Sequence, residues 1–78
     1  MRRYFFDVIA DGEFLSDDEG MLLPNIDAAR REASQSLSEL AREEIGSKRA
    51  SPNLTISVRT DEGPVYEAAL QWSLKSLQ

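Results

Sequence analysis

The sequence predicts an α+β domain of two layers, an antiparallel sheet of about four strands with one long helix across one face, in the order β-β-α-β-β. Three observations carry that expectation. Residues 3–9 (RYFFDVI) and 54–59 (LTISVR) are rich in the aromatic and β-branched types that favour strands. Between them Ile26, Ala29, Ala33, Leu37, Leu40 and Ile45 recur at steps of three to five, one stripe of a helix. Acid-glycine pairs at Gly12, Gly20 and Gly63 punctuate the apolar runs as turns do.

The first strand should end at Asp11-Gly12, a strong two-residue hairpin pair, with Glu13 to Ser16 returning. Tyr4, Phe6 and Val8 share one face of that strand, and Phe5, Asp7 and Ile9 the other. After Asp17-Asp18-Glu19-Gly20, the apolar Met21-Leu22-Leu23 reads as a further strand piece or a bulged continuation, stopped by Pro24.

Asn25 is placed to cap a helix N-terminus, and Asp27 in the first turn suits the positive end of the helix dipole. Asp27 and Arg31 stand at the favourable i,i+4 spacing, and Gly46 supplies a stop. The polar segment 46–52 (GSKRASP) reads as a loop. Leu54, Ile56 and Val58 then alternate with Thr55, Ser57 and Arg59, a half-buried strand turned by Asp61-Glu62-Gly63-Pro64. Tyr66, Ala68, Leu70, Trp72 and Leu74 continue the alternation, which predicts a strand almost to the end, although EAALQWSLKSL also has a helix-favouring composition. Tyr66 and Trp72 belong to a core stripe more readily than to a binding platform.

With 78 residues the chain makes a single domain, 1–78, with room for one core and little for a deep pocket beside it. One helix covers one face of a sheet, yet the first strand is apolar on both. A second copy packed sheet to sheet or edge to edge is the simplest cover, so a homodimer is expected.

Composition narrows the chemistry. The chain has no cysteine and no histidine, which removes disulfides, thiolate metal sites, the usual general base at neutral pH and the commonest metal ligand. No cofactor, small-molecule substrate or enzyme activity is expected. The best catalytic candidate is Asp7, set among Phe5, Phe6, Val8 and Ile9, where an apolar setting would raise its pKa. The plainer role for Asp7 is a strand charge that discourages aggregation.

The adjacent acids Asp17, Asp18 and Glu19 raise the question of a cation. A calcium loop needs oxygens at alternating positions and a distal glutamate, and here the acids are contiguous with none following until Asp27. They are expected to turn the chain and, beyond that, to meet a basic partner surface.

Net charge is -5, and no basic residue lies between Arg3 and Arg30, whereas Lys48, Arg49 and Arg59 are the only charges between Glu44 and Asp61. An acidic front half repels a phosphate backbone, so nucleic acid is not the expected partner. A nucleic-acid contact would rest on Lys48, Arg49 and Arg59, with Arg2, Arg3, Tyr4 or Phe5 beside them. The N-terminal arginines lack a following h-region, because Asp7 and Asp11 interrupt it, and no stretch is long and apolar enough to span a membrane. The expected location is cytoplasmic.

The residues RYFFDV, DG, DDEG, LP and DAARREA together resemble a family of short bacterial proteins known only as a domain of unknown function. In that family RYFF-[DH]-V and D-x-EG-x-x-LP precede a DAAR-like helix start, and a hydrophobic hairpin follows. Asn25 stands where an aspartate is common, one capping residue for another. The resemblance implies the fold and no activity. A weaker likeness is to HicB-like antitoxin domains, which share the strand, acidic turn, proline and helix order. This sequence lacks their glycine- and cysteine-rich approach to the helix and any appended DNA-binding domain. The functional expectation is thus an uncharacterised, non-catalytic protein-interaction module that forms a homodimer. The alternative is an antitoxin- or regulator-like domain binding a partner protein or nucleic acid. In either case Asp17, Asp18, Glu19, Lys48, Arg49 and Arg59 are the candidate contacts.

Overall fold

A computed structural model describes residues 1–46 and 53–78, so Lys48 and Arg49 lie outside the described residues. Its elements are β1 (Arg2–Ala10), β2 (Glu13–Leu15), β3 (Met21–Leu23), α1 (Ile26–Gly46), β4 (Asn53–Thr60) and β5 (Gly63–Gln71). The sheet is antiparallel, ordered β2-β1-β4-β5, and β3 also pairs with β1. The α+β expectation therefore holds, with the Met21-Leu22-Leu23 run as a fifth strand.

The turns follow from backbone chemistry. Asp11 (φ 50) and Gly12 (φ 78) both adopt positive φ, the requirement of a type I′ turn, whose twist matches the strands it joins. Ala10 consequently pairs with Glu13, Ile9 with Phe14 and Val8 with Leu15. At the other end of β1, Arg2, Arg3 and Tyr4 pair with Leu23, Leu22 and Met21. β2 and β3 thus lie end to end along one edge of β1, while β4 takes the other through Phe5↔Arg59 to Ala10↔Leu54.

The helix begins where the sequence predicts. The Asn25 side-chain oxygen accepts from the Ala28 amide at 2.9 Å, and its backbone carbonyl accepts from Ala29 at 3.3 Å, which satisfies donors of the first turn. Asp27 pairs with Arg30 at 3.7 Å rather than with Arg31, and the Arg30 guanidinium also lies over the Tyr66 ring at 5.3 Å.

The core sits between the helix and one sheet face. Tyr4, Ala29, Ala33, Ile56 and Val58 are buried there, with Phe6, Val8, Leu23, Leu37, Leu40, Tyr66 and Ala68 packed around them. Small side chains at Ala29 and Ala33 let the helix axis approach β4, whose Leu54, Ile56 and Val58 are fully covered. The helix stripe differs at its end from the expected one. Ala41 is buried whereas Ile26 and Ile45 are exposed: each step of four along Ala29, Ala33, Leu37, Ala41 and Ile45 turns about 40° past a full turn, and the accumulated drift carries Ile45 off the inner face.

The final strand is shorter than the alternation predicts. Gln71 pairs with Asn53, the first residue of β4, so beyond it no neighbouring strand among the described residues offers hydrogen bonds. Leu74 and Leu77 are accordingly exposed, at 68% and 86%. No helix among the described residues is long and apolar enough to cross a membrane.

Candidate functional site

The sheet face opposite the helix carries Phe5, Asp7 and Ile9 of β1 beside Thr55, Ser57 and Arg59 of β4, as the strand registers require. The gap between β2 and β3 falls beside Phe5, Phe6 and Asp7, where neither strand pairs with β1 on that edge. An extended strand with an open edge leaves amides needing acceptors. Here a side chain supplies one: the Asp17 carboxylate accepts from the Phe6 amide at 3.0 Å.

The same carboxylate organises its own turn, accepting from the Glu19 and Gly20 amides at 3.1 Å each, an Asx-type arrangement. In return the Asp17 amide donates to Asp7 Oδ1 at 2.9 Å. Arg59 reaches across from β4 and closes the cluster. Its Nε donates to Asp7 Oδ2 at 2.8 Å, and Nη2 donates to the Asp17 carbonyl at 3.0 Å. The guanidinium also stacks over the Phe5 ring, 4.5 Å from its centroid. Asp7 is left 4% exposed, covered by this loop and by Arg59 rather than by a second layer of secondary structure.

Electrostatics follow the geometry. Burial pushes the Asp7 carboxyl upward, but the Arg59 hydrogen bond, the Asp17 amide and the Arg59 charge together bring it below its usual range. For Asp17, burial again opposes ionisation and is outweighed by the amides of Phe6, Gly20 and Glu19 and by the charge of Arg59. A general acid near neutrality needs the opposite shift, so Asp7 is held as an ion-pair anchor.

Gly20 completes the turn. Its φ is +71, and a Cβ there would stand 2.9 Å from Arg3 Cγ and the Tyr4 carbonyl and 3.0 Å from Phe5 Cδ1. Only glycine fits, both by conformation and by space. Arg3 donates from Nη1 to the Glu19 carbonyl at 2.8 Å, which ties the turn to β1.

The candidate residues are thus split. Asp17 and Arg59 lie together inside the cluster, whereas Asp18 and Glu19 remain exposed on the turn. Among the described residues no group of acids or other ligands converges as a cation site would. At the far end of the sheet, Arg2 reaches Thr60 Oγ1 and Asp61 at 3.3 Å each and also contacts Glu62, so this arginine holds β1 to the turn before β5.

The larger hollows on the surface are open ones, among them a depression of about 430 Å³ lined by Met1, Arg2, Arg3, Phe5 and Asp61. A hollow of about 130 Å³ is lined by Val8, Ala10, Leu15, Leu40 and Leu54, with Asp11, Glu13 and Glu44 also around it, well below the several hundred Å³ of most ligand sites. Asn53, Gln71, Trp72 and Ser73 line an open depression of about 470 Å³ where β5 ends, large enough for a ligand but little enclosed.

The outer edge of β5 differs from all of this. No strand covers it among the described residues. Pro64 and a bulge at Val65, between the pairs Val58↔Tyr66 and Arg59↔Pro64, mark its beginning. From Tyr66 to Gln71 it runs regularly, with Glu67 its one charge.

The sequence profile of a domain of unknown function, DUF6894, matches residues 3–71, which takes in the helix and all of the strands but Arg2 of β1. The chain belongs to that family. No curated protein and no solved structure matches it.

Proposed function

We propose that the protein is a non-catalytic interaction module that works as a homodimer, joined through the outer edge of β5. The observation that carries this reading is the regular Tyr66–Gln71 edge, uncovered among the described residues, with a single acid to discourage pairing. Native proteins block such edges or use them, since unpaired amides and carbonyls in an extended row recruit another strand. The apolar groups on the open sheet face add to the case. Phe5 is covered by Arg59, but Ile9 and Phe14, cross-strand neighbours, remain 38% and 61% exposed.

The non-catalytic reading is supported by the state of the one carboxylate best placed for chemistry, since Asp7 is ion-paired and shifted away from a proton-transferring range. Asp18 and Glu19, exposed beside the exposed Leu22, offer an acidic and apolar rim to a basic partner protein. The antitoxin- or regulator-like alternative is weakened at Arg59, whose guanidinium is engaged by Asp7, Asp17 and Phe5. Light scattering at micromolar concentration tests the proposal: a mass of twice the chain is expected, and a strictly monomeric protein overturns it.

A further inference from the structure

The β5 edge fixes more than the existence of a pair. We propose that two copies join their β5 strands antiparallel about a two-fold axis at Ala69, which places Trp72 of each copy against the partner's Tyr66. This rests on the homodimer reading and adds its register.

Symmetry restricts the choices. Two identical strands that extend one sheet are related by an axis perpendicular to it, so both helices lie on the same side and the axis passes a residue facing its own copy. Centred on Glu67, the strands would set two carboxylates directly opposite, a like-charge pair that destabilises a sheet. Centred on Ala68, Gln71 would have to pair with the bulged residue Val65, where the strand departs from regular register. Centred on Leu70, every pair off the axis but Ala69 with Gln71 would draw on residues beyond the end of β5. Centred on Ala69, the regular stretch pairs from Glu67 to Gln71, and only Tyr66 meets a residue just past that end. Ala68 faces the partner's Leu70, Glu67 faces the partner's Gln71, and Tyr66 faces the partner's Trp72.

Each of these pairs is favourable in kind. Aromatic pairs and acid-to-amide pairs are among those that stabilise antiparallel neighbours, and the axis itself falls on a small, exposed side chain. The register also gives residue 72 a strand neighbour beyond the end of β4, which begins at Asn53 opposite Gln71. Farther on, Leu74 and Lys75 continue toward the partner's Asp61 and Glu62. Those two acids share one guanidinium, that of Arg2, in their own chain. The Lys75 ammonium therefore meets a net negative turn, at an exposed rim where charge guides register more than it adds affinity.

The chain contains no cysteine, so single-cysteine variants report position without background. Ala69→Cys is expected to form a disulfide-linked dimer on mild oxidation, in higher yield than Ala68→Cys or Glu67→Cys, with Gln35→Cys on the exposed helix surface as the unlinked control. Light scattering on the reduced variants is read alongside. A dimer that cross-links best at residue 67 or 68, or at none of the three, overturns the Ala69 axis and leaves the homodimer standing. Monomers throughout overturn both. A mutation of Trp72→Ala that leaves the dimer dissociation constant unchanged also counts against the register, whereas a rise of about tenfold supports it.

Discussion

Along the outer edge of β1 the chain is broken into two three-residue strands, β2 and β3, with the Asp17 carboxylate filling the gap between them. Along the outer edge of β5 a regular run from Tyr66 to Gln71 carries one acid and, among the described residues, no covering strand. Both edges present the same backbone groups, and only the side chains and the strand breaks differ. The first edge satisfies a stranded amide from within, with an acid that a neighbouring strand would have to displace. At the second, satisfaction comes from water or from another strand. Such a contrast leaves one side of β1 filled by short strands and a carboxylate, and it is the ground for the proposal that the β5 edge takes part in association.

The sharpest way to break the closed edge is Gly20→Ala. The positive φ and contacts of 2.9–3.0 Å leave no room for a methyl group, and we expect a loss of about 3 kcal/mol in urea denaturation. Gly12→Ala, with φ of +78 but nothing within 4 Å, isolates the conformational part and should cost about 1 kcal/mol. If the two losses are equal, the close packing against Arg3, Tyr4 and Phe5 carries no weight.

Asp17→Ala comes next, since it deprives the Phe6, Glu19 and Gly20 amides of their acceptor. A loss of about 2 kcal/mol is expected, together with faster hydrogen exchange at Phe6. Unchanged exchange there would show that the amide has another acceptor.

Acid should act on the same edge. Asp7 and Asp17 both hold their charge to lower pH in the fold than in the unfolded chain. As pH falls, protons therefore load onto the unfolded chain first. The stabilisation is complete above the ordinary carboxylate range, and below about pH 4 it is lost as pH passes through the lowered folded-state values. The double variant Asp7→Asn with Asp17→Asn should flatten that part of the stability profile, and an unaltered profile would place the acid sensitivity elsewhere.

The smallest effect on the folded monomer is expected at the open edge. Ala69→Lys lies on an exposed position and should alter monomer stability by no more than about 0.5 kcal/mol. In the dimer it sets two ammonium groups face to face, and dissociation should rise at least about tenfold. Sedimentation at several concentrations separates the two effects, and a dimer unaffected by this charge would move the contact away from β5.

Much of the fold is legible in local sequence because local chemistry determines it. Asn25 caps the helix through a side chain three residues from its donor, and Asp11-Gly12 makes a turn by its own dihedral preferences. The alternation of Leu54, Ile56 and Val58 is visible because one face is wholly buried. What is not legible depends on partners distant in the chain. The end of β5 at Gln71 is set by where β4 begins, and nothing in YEAALQWSL marks it. The division of labour within Asp17-Asp18-Glu19 is hidden for the same reason. Which of the acids reaches the open amide of Phe6 is decided by how far the β1 hairpin extends and where β3 resumes, so a run of three acids reads as a uniform turn. Arg59 looks like a free cation in sequence because Asp7, its mate, lies on the first strand.

That mate is 52 residues away, which has a consequence for how the protein comes into being. During synthesis β1 emerges ahead of its partners and finds β2 within a few residues, but its other side is empty until β4 follows the helix out of the ribosome. A centrally placed strand made early must wait for a non-local neighbour, and such topologies fold slowly compared with those built from nearby contacts. Arg59 is then less a late decoration than a latch. Until it is translated, the acidic loop over β1 has no counter-charge from β4, and nascent chains stalled before that residue should remain open to proteases at the very segment that Arg59 ties down in the finished protein.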